Sequence, residues 1–142
     1  MDDLKTAEPA LYDRGTGGDT LDLLFLECGD CRELTFPSNA YGCRACGASG
    51  EHGRVVRRPG ICRLHNAVTV HQNLEPTVKA PYVVGEIELA PGIVEEGILT
   101  VGNEAAVAPG MTLHAVAAPH PADAGRFVCR FAPSELAQEE AS

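Results

Sequence analysis

The chain has 142 residues, 44% of them apolar, with a formal net charge of −9. That is enough apolar content for a packed core, which excludes general disorder, and no apolar run approaches the ~20 residues of a membrane-spanning helix. The acidic balance and the lack of tryptophan argue against nucleic acid, whose affinity comes mainly from phosphate neutralisation and base stacking.

Residues 1–20 hold Pro9, Gly15, Gly17, Gly18 and several acids. They read as an extended or weakly helical arm, ordered against a partner. The opening Met1-Asp2-Asp3-Leu4-Lys5 has no apolar h-region and is not a secretory signal. Leu21-Asp22-Leu23-Leu24-Phe25-Leu26-Glu27 is a short apolar run that fits a strand leading into a turn.

That turn is Cys28-Gly29-Asp30-Cys31. Eleven residues later comes Cys43-Arg44-Ala45-Cys46-Gly47. Each Cys-x-x-Cys pair sets two sulfurs on one tight turn, where both can face one ion. Four thiolates complete a closed tetrahedral site, so Cys28, Cys31, Cys43 and Cys46 are the candidate ligands of one structural zinc, with iron as the lesser alternative. Gly47 suits the left-handed backbone that such a knuckle needs. Between the pairs, Leu34-Thr35-Phe36-Pro37 is the return strand. The ribbon spans 21–53 and ends in the small, polar stretch 48–53. Two disulfides in a secreted domain would leave Cys62 and Cys129 over, with no secretory signal before them. Zinc-type cysteines without such a signal place the chain in the cytoplasm.

From residue 54 the pattern becomes that of strands, up to 133. The first piece, 54–58, breaks at Pro59-Gly60. Residues 61–72 alternate, with Leu64, Val68 and Val70 on one face and His65, Ala67, Thr69 and His71 on the other. The run 81–89 puts Val83, Gly85, Ile87 and Leu89 on one face. Pro91-Gly92 is a turn, and 93–101 is a strand with Gly97 as its bulge. Asn103 caps a helical turn over 103–107. Pro109-Gly110 turns the chain into a strand at 111–116. The strand 126–131 groups Phe127, Cys129 and Phe131, and 134–142 is an acidic tail. The expected fold is mainly β: an N-terminal rubredoxin-like zinc ribbon, then a five-stranded OB-type Greek-key barrel. An SH3-like barrel or an incomplete sandwich is the alternative.

Little in this pattern supplies chemistry. A closed four-thiolate site has no position for water and activates no nucleophile. Cys62 and Cys129 fall on strands, where buried inert thiols are the simpler account against a catalytic one. The histidines form no triad or metal pattern with nearby residues. Glu86, Glu88, Glu95 and Glu96 read as the solvated face of a sheet rather than as acid–base pairs. Six of the eleven basic residues (Arg32, Arg44, Arg54, Arg57, Arg58 and Arg63) fall in one segment with only Glu33 and Glu51. Within it, Arg44, Arg54, Arg57, Arg58 and Arg63 are candidates for contact with a partner or with the phosphates of CoA. Arg57 and Arg58 are adjacent on a strand, so they cannot line one groove together.

The order of these motifs resembles a family of small proteins long described as a domain of unknown function, a rubredoxin-like zinc ribbon joined to an acyl-CoA-associated OB fold. The resemblance rests on Leu26-Glu27-Cys28-Gly29-Asp30-Cys31, Phe36-Pro37, Cys43-Arg44-Ala45-Cys46-Gly47 and the strand Ala80-Pro81-Tyr82-Val83-Val84-Gly85-Glu86-Ile87-Glu88-Leu89. It extends through 107–116 and 126–133, and so covers about residues 21–133. The first twenty residues depart from it, since they lack the N-terminal helix with an aromatic pair found in many members. The resemblance implies a non-catalytic subunit that scaffolds a thiolase-like catalytic chain in a hetero-oligomer. That complex would act on a CoA thioester, for example an aromatic one such as benzoylsuccinyl-CoA. A single-stranded nucleic-acid-binding module is the alternative function.

Overall fold

Strand β3 (Leu21–Glu27) is the spine of the N-terminal half. Its alternation buries Leu21, Leu23 and Phe25, and both of its edges are used. On one edge lie β2 (Tyr12–Arg14) and β4 (Leu34–Thr35), and on the other β5 (Arg54–Pro59), all antiparallel to it. The computed structural model describes residues 4–15, 19–73 and 78–134.

The second sheet is formed by β6 (Ile61–Val70), β7 (Tyr82–Ala90), β8 (Ile93–Ile98), β9 (Thr112–Pro119) and β10 (Arg126–Pro133), with β1 (Lys5–Thr6) at one end. The order is β1-β10-β9-β6-β7-β8. The sheet curls until its ends meet: Leu99, just beyond β8, bridges Phe131 of β10 in parallel, and Thr100 N–H donates to the Phe131 carbonyl at 2.9 Å. A meander of three strands, then a fourth beside the first, then a fifth closing in parallel onto the third, is OB-like barrel topology. The mainly β expectation holds. Among the described residues the only helical pieces are short 3-10 turns at Gly50–His52 and Glu104–Ala106. Asn103 caps the latter as expected, its Oδ1 accepting from Ala105 N–H at 2.8 Å.

The two sheets share one apolar core. Leu21, Leu23, Phe25 and Tyr12 pack in the same cluster as Leu64, Val83, Ile87, Leu113, Phe127 and Phe131. The barrel strand expected at 81–89 turns Val83, Gly85, Ile87 and Leu89 inward.

Four sequence expectations differ from the structure. Residues 4–15 are not a loose arm. β1 pairs with β10, Leu24 N–H donates to the Leu11 carbonyl, and Ser38 Oγ donates to the Ala10 carbonyl at 2.7 Å. The cause is Tyr12, buried with its ring 5.9 Å from that of Phe127. The strand at 54–58 hydrogen-bonds to β3 and not to a barrel strand. In β6, the register slips between Leu64 and Asn66. This bulge inverts the alternation, so Ala67 packs on the core and Val68 is exposed. Gly97 is no bulge; it pairs squarely with Gly85, and a side chain there would strike the Phe131 ring. The acidic tail, Ser134 apart, lies outside the described residues.

Gly60 joins the two sheets. It sits between β5 and β6, donates its N–H to the Leu21 carbonyl and accepts from the Ala115 N–H, both at 2.8 Å. A Cβ there would stand 2.6 Å from Ala115 Cβ and 2.8 Å from the Leu21 oxygen. Replacing Gly60 by Val therefore overpacks the seam. A loss of about 1–3 kcal/mol in denaturant unfolding is expected, and unchanged stability would show that the two sheets are not held here.

Candidate metal centre

The two cysteine knuckles have the same backbone. In the first, Cys28 N–H donates to the Glu33 carbonyl at 3.0 Å and Arg32 N–H to the Cys28 carbonyl at 3.1 Å. In the second, Cys43 N–H donates to the Ala48 carbonyl and Gly47 N–H to the Cys43 carbonyl, both at 2.9 Å. Each turn closes on a left-handed residue, Gly47 at φ 77° and Arg32 at φ 68°. The glycine is the residue that this conformation favours, and the equivalent Arg32 gave no such signal in the sequence.

The turns bring the four sulfurs of Cys28, Cys31, Cys43 and Cys46 within 4.8 Å of one another. Cys28 and Cys46 are 3.6 Å apart, and Cys31 and Cys43 are 3.5 Å apart. Metal–sulfur bonds of about 2.3 Å in a tetrahedron give edges of about 3.8 Å, so the donor set could hold one metal ion.

Main-chain N–H groups also aim at the sulfurs. Asp30 N–H lies 3.4 Å from Cys28 Sγ, and Ala45 N–H 3.3 Å from Cys43 Sγ. The amides of Cys31 and Asp30 lower the pKa of Cys28, and those of Cys46 and Ala45 bring Cys43 down to about 6. The Glu33 amide pulls Cys31 down, but the Cys43 sulfur and burial outweigh it and push Cys31 up to about 12. The amides thus favour the charged form of Cys28 and Cys43, the two buried members, and a bound cation would favour it at all four.

The arginine cluster divides. Arg44 donates from Nε to the Leu34 carbonyl at 2.7 Å and reaches the Pro91 carbonyl at 3.5 Å, which ties the second knuckle to the β7–β8 turn. Arg54 pairs with Glu27 at 2.7 Å. Arg57 pairs with Asp22 at 3.2 Å and donates to the Arg14 carbonyl at 2.6 Å. These three hold the chain together. Arg58 and Arg63 have no ion-pair partner among the described residues, and both line one open groove of about 520 Å³ with the exposed Ile61, Pro59, Pro91 and Glu88. Glu88 is itself met by His65 Nε2 at 2.7 Å.

Neither remaining thiol is set up to react. Burial pushes Cys62 and Cys129 up to about 12, and among the described residues no histidine hydrogen-bonds to either. Among the described residues, no helix is long and apolar enough to cross a membrane.

No family model and no curated protein sequence matches the chain. Among solved structures, the chain is similar to one described as "Ltp2-ChsH2(DUF35) aldolase", with a TM-score of 0.64 and 22% identity. The match covers 79% of this chain and 84% of that one. At this identity the likeness is one of fold.

Two outcomes test the centre. Cys43→Ser should drop bound metal, measured by elemental analysis of the purified protein, from one ion per chain towards none, because three thiolates no longer close the site. Retention of the full ion would exclude the four-sulfur assignment. Arg32→Gly should raise stability by about 1 kcal/mol by relieving the left-handed arginine. A loss of stability would mean that the Arg32 side chain matters more than its backbone.

Proposed function

We propose that this protein is the non-catalytic, zinc-bearing subunit of a thiolase-superfamily complex that makes or breaks carbon–carbon bonds on a β-ketoacyl-CoA. The observation that carries the reading is the fold shared with a chain of a DUF35-labelled aldolase, together with a four-cysteine ribbon at its N-terminal end. The inert thiols agree with it, since the nucleophile would then belong to the partner. Zinc is the proposed ion because the closed four-sulfur set suits a structural site without redox work. An aromatic acyl group, as in benzoylsuccinyl-CoA, is one substrate of the proposed class, and the cytoplasm is the proposed compartment.

The docking face in this reading is the ribbon and its seam with the barrel. Tyr41, at the tip before the second knuckle, is fully exposed, and Val55 and Ile61 are each 56% exposed. An exposed tyrosine is a residue type that interface hot spots favour. Arg58 and Arg63 in the neighbouring groove supply two guanidinium groups for CoA phosphates at the shared boundary. The nucleic-acid alternative is weaker than the sequence suggested. Three of the five candidate arginines are held in bonds within the chain, and the net charge is −9.

Co-expression with a thiolase-superfamily chain encoded beside it should give one co-eluting complex. Tyr41→Ala should weaken that complex at least about tenfold without loss of metal. The double change Arg58→Glu with Arg63→Glu should raise KM for the CoA thioester while the two chains still co-elute. A chain that elutes alone and leaves the partner's activity unchanged sinks the proposal.

A further inference from the structure

We propose that the cavity between β8 and β10 is a binding site for a small organic carboxylate with an apolar body, its carboxylate seated on Arg130. The site stands on this chain's own geometry and does not depend on the proposed partner.

Closure of the barrel is incomplete here. Among the described residues, strands β8 and β10 join only through the Leu99–Phe131 bridge and the adjoining Thr100 bond. Before that bridge they part around a cavity of about 260 Å³. Leu11, Tyr12, Leu23 and Phe36 of the N-terminal half also line it, so the cavity lies where that half packs on the barrel. Its exposed lining is mainly apolar, with aromatic rings from Phe36 and Phe131.

Arg130 lines this space. It is half-buried, and burial pushes its pKa down. Among the described residues its guanidinium makes one hydrogen bond, from Nη1 to the neighbouring Cys129 carbonyl at 3.1 Å. Among the described residues no carboxylate oxygen lies within ion-pair distance of it. A guanidinium carries five N–H donors and pairs with a carboxylate in a fork of two bonds. Withdrawing it from water without a counter-anion is unfavourable, and an anion entering the cavity would relieve that cost. The apolar walls select what the anion must carry with it. A bare phosphate or sulfate would leave them in contact with water, whereas an alkyl or aryl carboxylate satisfies both parts of the site.

Glu95 lines the same cavity, is exposed to solvent, and shares the Gly97 face of β8, whereas Glu96 pairs with Glu86 on the opposite face. Glu95 opposes an incoming anion, so it sets a second expectation of known sign: removing its charge strengthens binding.

The probe is hexanoate, titrated into the metal-loaded full-length chain and followed by amide chemical shifts, with hexan-1-ol as the neutral control. Saturable shifts at Gly97, Ile98 and Phe131 are expected, with hexan-1-ol at least tenfold weaker. Arg130→Gln should weaken hexanoate at least tenfold, and Glu95→Gln should strengthen it, each in a protein whose remaining spectrum is unchanged. Absence of saturation up to about 10 mM hexanoate, weaker than any useful small-ligand affinity, overturns the site. So do equal affinities for hexanoate and hexan-1-ol. The alcohol comparison is made on the unaltered chain, so it decides the matter even if Arg130→Gln fails to fold.

Discussion

One residue holds the molecule to its shape. Gly60 gives its N–H to β3 and its carbonyl to β9, so the chain leaves one sheet and enters the other without a loop. The packing around it leaves no room for a side chain: Ala115 and Leu21 both stand within 3 Å of where a Cβ would be. Because the seam is this tight, β3 and the barrel bury their apolar faces against each other in one cluster. The pair of a short ribbon and a small barrel thereby gains a core that neither could form alone. The N-terminal strands follow from the same constraint, since Tyr12 enters that shared core from the side β3 leaves open.

What could be read from the sequence was whatever local chemistry determines. The two Cys-x-x-Cys turns bring their sulfurs together because the turn itself sets the spacing. Strand β7 could be read because Val83, Gly85, Ile87 and Leu89 keep strict alternation. Asn103 could be read because a cap acts over two residues. What failed depends on partners distant in sequence. One slipped residue between Leu64 and Asn66 reversed the inside and outside of half a strand, and nothing in the residue types there announces it. Strand β5 belongs to β3 through an antiparallel ladder that runs from Asp22–Pro59 to Glu27–Arg54, and such pairing has no local signature.

The arginines show why a cluster in sequence is not a cluster in function. Five candidates lie within twenty residues, yet Arg44, Arg54 and Arg57 are turned to internal bonds. Only Arg58 and Arg63 face a common groove. Arg130, far from the cluster in sequence and ignored in the pattern, is a half-buried guanidinium with no carboxylate at ion-pair distance among the described residues. Charge counting located the segment. Bonding decided which charges remain available to a ligand.

The knuckles stand apart from this shared core. Cys28, Cys43 and Leu26 are buried, but none of them belongs to the cluster that joins β3 to the barrel. Leu34 and Phe36 between the knuckles pack against the cluster, but the knuckles themselves do not, and the bonds from four sulfurs to one ion would supply there what packing does not. Arg44 links that region to the β7–β8 turn through one exposed hydrogen bond, to the Pro91 carbonyl at 3.5 Å, too weak to fix it without the metal. The ribbon's outer surface, Tyr41 included, would then keep its shape only while the ion is bound, whereas β3 and the barrel keep the core they share. Any partner that reads the outer ribbon also reads the metal, and a ligand at Arg130 meets the ribbon only through Leu23 and Phe36 on the core side.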